Sequence, residues 1–321
     1  MTRTLREAIS SGRFIVTGEL GPPLGASAAV VAKKAEHFRG RVDAVNTTDN
    51  QSGIVRMSSI ASAKLLVDAG LDAIVQMTCR DRNRLALQAD ILGASGLGIR
   101  NVLLLTGDHV TLGNQPDARP VYDLDSVQLI AAARGLREGR FMGGEEVKSP
   151  PDMLIGGAAN PFAEHMGLRL IRLSKKVAEG ADFIQTQAVF DLPRFEHWMR
   201  GVRDLGLHER AKVIAGVLPA RSAKALEYMK REVSGMSVPD DVVRRLAGAA
   251  TPEDEGVKLA CETIARLREI EGVAGVHVMP VMWESVMPRL IEEAGLGGLG
   301  SAGAPGVGPD GIAGPVGGAA P

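Results

Sequence analysis

The 321-residue sequence contains only two cysteines, Cys79 and Cys261. They lie far apart and neither belongs to a Cys-x-x-Cys pair, which argues against a disulfide framework and against a cysteine-rich metal site. The six histidines show no His-Glu-x-x-His or other paired spacing, so no catalytic metal is expected. Charge of one sign is also lacking: 37 basic and 38 acidic side chains leave a formal net charge of -1. That balance offers no footprint for nucleic acid or an anionic membrane. No apolar run approaches the ~18 residues of a membrane span, and Glu7 and Arg13 interrupt the stretch where a signal peptide is continuously apolar. A cytoplasmic protein is expected. The absence of a Gly-x-Ser-x-Gly elbow weighs against a hydrolase. Aromatic residues make up only 3% of the chain, so stacking surfaces are scarce.

What the chain does have is enough apolar material for a large core, with 45% hydrophobic and 23% charged residues. Short runs rich in Val, Ile, Leu and Thr alternate with longer stretches of helical periodicity, the signature of repeated βα units. Eight strand candidates can be counted, at 13–20, 42–48, 72–78, 100–106, 153–158, 182–187, 212–218 and 275–281. Eight is the number that a closed (β/α)8 TIM barrel requires. A doubly wound open sheet is the competing layout, but no Gly-x-Gly-x-x-Gly follows the first strand. From Gly297 onward the sequence is almost entirely Gly, Ala and Pro. The reading is therefore a barrel domain over 1–296 and a disordered C-terminal tail over 297–321, a composition that buries too little to order itself.

In a barrel of this kind chemistry gathers at the C-terminal ends of the strands. Those ends carry Glu19, then Asn46 with Thr47, Thr78, Thr106-Gly107-Asp108, Asn160 and Gln187. Glu19, before the rigid Gly21-Pro22-Pro23 turn, reads as a general acid whose pKa a partly dry pocket would raise, or as a solvated strand-end carboxylate. Asp108 reads as a carboxylate facing a developing positive charge, with Gly107 allowing close backbone approach, or as an ordinary turn residue. Gln187 reads as an amide for a flat heterocycle, or as an interior amide bonded to neighbouring strands. Lys176, near the end of a helix, complements the helix dipole on this reading. Cys79 reads as packing or pocket wall, not as a nucleophile.

The pieces TGELGPP, VNTTDN, QMTC, LLTGD, AANP, KKVAEGADFIQTQAVFD and GVLP occur in this order from Arg13 toward Gly295. In combination they resemble the methylenetetrahydrofolate reductase family, flavoenzymes built on a (β/α)8 barrel. The resemblance implies Glu19 as the general acid that protonates a folate nitrogen, Asp108 as the group stabilising the resulting iminium, and Gln187 as a pterin ligand. It implies FAD held by Thr47, Thr78, Thr106, Gly107, Asp108, Tyr122, Ala158, Asn160 and Lys176, the lysine facing the diphosphate. One carboxyl kept protonated beside another kept ionised is a familiar way of dividing acid and electrostatic roles.

Departures from the family pattern lie at Leu20 and Gly21, where an aromatic pair is usual, at Gln76 in place of histidine, and at Thr106 in place of arginine. The last strand reads VHVMPVMWE without the tyrosine of NADH-dependent bacterial enzymes. This pattern is similar to a divergent, acetogen-like branch, in which the electron donor is either NAD(P)H or a partner subunit. Two further readings stand beside the reductase: a flavin- or folate-binding subunit that needs a partner, and another pterin-handling barrel such as a methyltransferase. The outer helices offer surfaces for a homo-oligomer.

Overall fold

A computed structural model of the chain describes residues 4–233 and 235–297. The tail expected over 297–321 lies outside the described residues except for Gly297. Eight parallel strands close into one barrel in chain order. They are β1 (Ile15–Leu20), β2 (Ala44–Thr47), β3 (Ala73–Thr78), β4 (Asn101–Leu105), β5 (Leu154–Ala159), β6 (Phe183–Ala188), β7 (Lys212–Val217) and β8 (Val273–Val278). All eight expected strands form. The last lies earlier than the sequence suggested, ending at Val278 instead of running to Val281. Pro280, without an N–H, cannot extend the ladder.

Closure follows from patterning. Alternate residues of each strand face opposite sides. Val16, Val45, Val75 and Leu104 join the shell packed by the outer helices. Ile15, Ala44, Ile74, Leu103, Phe183 and Ile214 form a separate interior layer. Gly156 makes room in that layer, because a Cβ there would come within 2.3 Å of the Phe183 ring. The N-terminal helix Leu5–Ser11 closes the bottom of the barrel by burying Leu5 and Ala8 against the same layer. A capping box at Thr4 and Glu7 starts it, and Gly12 at φ 68° ends it. Its first N–H is held by Asp72, whose Oδ2 accepts from Leu5 N at 2.9 Å. No helix of the described residues is long and apolar enough to cross a membrane.

Candidate active site at the barrel mouth

Above the apolar layer the barrel interior turns polar. Thr17, Asn46, Gln76, Gln185 and His277 are all buried there. Asn46 and Gln185 pair through their amides, Nδ2 to Oε1 at 2.7 Å and Nε2 to Oδ1 at 3.1 Å. Gln185 Nε2 also donates to Thr17 Oγ1 at 3.2 Å, and Thr17 Oγ1 lies 2.9 Å from His277 Nδ1. The Thr17 hydroxyl thus ties the Asn46–Gln185 pair to the His277 ring. His277 Nε2 stands 3.5 Å from Glu19 Oε2, and Gln76 Nε2 donates to the same oxygen at 3.3 Å. Five strands therefore contribute polar side chains to a support whose top member is the Glu19 carboxyl.

Glu19, Asp108 and Gln187 line one cavity of about 340 Å³, together with Thr78, Thr106, Gly107, Ala158 and Lys176. A neighbouring cavity of about 310 Å³ shares the Glu19, Gln76, Ala158, Lys176 and Gln187 walls and adds Asn160 and His277. A third, of about 1020 Å³, continues outward past Thr106, Gly107 and Arg172 to Tyr122 and His165. The ten expected site positions other than Thr47 do not all meet at one point: they spread along this connected cleft.

Individual side chains behave differently. The Thr47 side chain is turned away from the barrel interior. Asn46 points into the barrel, so its neighbour points out, and the Thr47 hydroxyl donates to the Ser59 carbonyl at 3.0 Å. Asp108 is exposed and accepts from Ser52 N at 3.2 Å, tying the loop after β2 to the loop after β4. Gly107 takes φ 93°, and a Cβ there would come within 2.9 Å of Thr78, so glycine is required on both counts. Tyr122 donates its hydroxyl to the Asp108 carbonyl at 3.1 Å and stacks beside His109. Thr106 Oγ1 accepts from Ser126 N at 3.2 Å, and Asn160 Oδ1 accepts from Phe162 N at 2.9 Å.

Lys176 does more than complement a helix end. It is buried on the inner face of the helix Met166–Ala178, and its Nζ donates to the Ala158 carbonyl at 2.6 Å. Burial, reinforced by the nearby Arg172 charge, pulls its pKa down to about 8. Arg169 and Arg172 lie seven and four residues before it on the same helical face, giving a cationic stripe along the cleft. Cys79 is fully buried in the outer core, and burial pushes its thiol up to about 12, in keeping with a packing role.

Sequence reasoning missed Gln185, His277, Arg172 and Asp49. Gln185 was within reach, since it precedes the rim residue Gln187 by two and so faces the same interior. Asp49 was not. Its buried carboxylate accepts from Thr78 N and Oγ1 at 2.8 and 2.9 Å and pairs with Arg82 at 2.8 Å, contacts that only the closed barrel creates.

Comparisons with known proteins agree with this architecture. The methylenetetrahydrofolate reductase family model matches residues 4–295. A probable methylenetetrahydrofolate reductase (NADPH) of Caenorhabditis elegans is 23% identical over 252 residues, covering 75% of this chain and 35% of that protein. Methylenetetrahydrofolate reductase 2 of Schizosaccharomyces pombe is 27% identical over 273 residues, covering 78% and 40%. The chain thus spans less than half the length of these two relatives. A solved structure from Clostridium thermocellum, described as binding two copies of 5-methyl-5,6,7,8-tetrahydrofolic acid, superposes with a TM-score of 0.63 at 18% identity. It covers 91% of this chain and 97% of that one, a likeness of fold. With the family match running over nearly the whole described barrel, the chain belongs to the methylenetetrahydrofolate reductase family.

Proposed function

We propose that this chain reduces 5,10-methylenetetrahydrofolate to 5-methyltetrahydrofolate with FAD as its bound cofactor. The observation that carries the reading is the single cavity shared by Glu19, Asp108 and Gln187, with Glu19 mounted on His277 and Gln76. The residues present fit a flavin dinucleotide. Lys176 and Arg172 bring positive charge to a cleft long enough for an extended ligand, and the buried Thr48 hydroxyl beside them has no hydrogen-bond partner. Thr106, Gly107, Ala158 and Lys176 would hold the cofactor, with the lysine and Arg172 toward its diphosphate. Reduced FAD would supply the hydride.

The chain's own residues divide the remaining work. Glu19 gives its proton to the anilinic folate nitrogen. The bond from that nitrogen to the bridging methylene then breaks, with the electron pair going to nitrogen and an iminium cation left on the pterin side. Asp108 offsets that cation electrostatically, and Gln187 orients the pterin through its amide. So held, the methylene carbon of the iminium would be the acceptor of that hydride, which would make it the methyl group. The cytoplasm is the compartment that suits two free thiols.

One observation favours electron input through a partner subunit over NAD(P)H. At the β8 end of the mouth the Trp283 ring is covered by the Arg221 guanidinium, 5.3 Å from its centroid, leaving little free aromatic surface for a nicotinamide. An anaerobic absorption spectrum before and after adding 5-methyltetrahydrofolate tests the main reading, because it runs the folate step backwards with no external donor. Bleaching of the flavin band is the expected result. A protein that binds folate but takes up no FAD would overturn it in favour of a methyltransferase, and failure of NADH and NADPH to reduce the flavin would support the partner.

A further inference from the structure

Glu19 is held by one oxygen only. Oε2 receives Gln76 Nε2 at 3.3 Å and faces His277 Nε2 at 3.5 Å, whereas Oε1 has no hydrogen-bond partner among the described residues. The two supports come from opposite sides. β8 adjoins β1 directly on one side, while β3 lies beyond β2 on the other. The His277 contact, at 3.5 Å, is a close polar approach and not a hydrogen bond, and that ring is already anchored below through Thr17. Gln76, only 7% exposed, supplies the shorter of the two.

A carboxyl oxygen that already accepts N–H donors is a poor seat for an acidic proton, because the added O–H would meet those hydrogens head on. From this geometry we infer that Gln76 is a positioning residue for Glu19, anchoring Oε2 so that Oε1 is the atom that carries and releases the proton. The inference rests on the reading of Glu19 as general acid. The charged and titratable groups around it are His277 on β8, Lys176, Arg172 and Arg169 on the helix Met166–Ala178, and Asp49, Arg80 and Asp108 from the rim loops. None of these is bonded to Gln76, so replacing the amide leaves their charges in place.

The test uses Gln76→Met, which keeps the side-chain length and removes the donor, and Gln76→Glu, which sets a second carboxyl against Glu19. Both remove the amide donor from Oε2, the contact on which the assignment rests. Two readouts are followed. One is the alkaline limb of the folate half-reaction in FAD-reconstituted protein. The other, made on flavin-free protein, is the pH dependence of the protonated-carboxyl infrared band that Glu19→Gln removes. Both should move up together by about one pH unit in Gln76→Met and further in Gln76→Glu, with folate affinity changed less than about twofold. Curves that superpose on the parent protein would overturn the assignment. If Glu19→Gln left the folate step intact, the general-acid reading itself would fall, and the infrared titration would still decide whether Gln76 holds the carboxyl.

Discussion

The two ends of this barrel are built on opposite plans. At the bottom, Leu5 and Ala8 of the N-terminal helix press on an interior layer of Ile15, Ile74, Leu103, Phe183 and Ile214, with Asp72 fastening the helix. At the mouth the interior positions of the same strands, two to four residues further on, are Thr17, Glu19, Gln76, Gln185 and Gln187. The bottom buries apolar area and the mouth holds polar groups in fixed directions. The difference teaches where each kind of free energy is invested: packing below, oriented dipoles and charges above. Substitutions at the two ends should therefore separate stability from chemistry.

The largest effect is expected at the mouth. Glu19→Gln should slow the folate half-reaction by about 10² to 10⁴-fold while the thermal unfolding temperature stays near that of the parent protein. Stopped-flow absorbance of the flavin and a melting curve check both halves of that statement. An equal loss of stability would break the separation of the two ends.

Leu5→Ala is the converse. Removing a fully buried side chain from the bottom layer should cost about 2 to 5 kcal/mol in denaturant unfolding. The folate half-reaction of the protein that remains folded should be unaltered.

A smaller effect is expected from Lys176→Met. With the lysine facing a cofactor diphosphate as proposed, its loss corresponds to about 10- to 100-fold weaker flavin binding, measured by fluorescence titration. In the parent protein Lys176 loses its proton as pH rises through about 8, so flavin affinity should fall across that range. The Met variant should show no such fall.

The smallest concerns the bottom latch. Burial raises the Asp72 pKa to about 6, the Leu5 N–H and Asn101 amide opposing that shift only in part. The folded state therefore binds this proton more tightly than the unfolded chain does. Its stabilising contribution is complete below the ordinary aspartate value of about 4 and is lost as pH rises through about 6. Unfolding free energies at pH 4.5 and 7 should differ by an amount on the order of 2 kcal/mol from this group, and Asp72→Asn should remove that difference.

Much of the fold was legible because it depends on local pattern. Short runs rich in Val, Ile, Leu and Thr, the helical stretches between them and a count of eight strands were enough to indicate the barrel. The position of β8 was displaced because the apolar run VHVMPVM continues past the last residue that can pair, and Pro280 ends pairing without ending hydrophobicity. The rim residues Glu19, Asp108 and Gln187 could be picked out as strand ends. Which way the Thr47 hydroxyl points was not legible from its place at a strand end, because side chains on a strand alternate.

By itself the sequence determined the class of fold, the rim on which chemistry gathers and the identity of the side chains there. These are properties of spacing along the chain. Only the tertiary structure decided that Gln76 and His277 converge on one oxygen of Glu19, that Gln185 bonds across the barrel to Asn46, and that Lys176 is buried against the end of β5. Those contacts join residues far apart in the chain, up to 258 positions for Glu19 and His277, since 277 less 19 is 258. They exist because closure brings β8 beside β1, and no local periodicity encodes which interior side chains then meet.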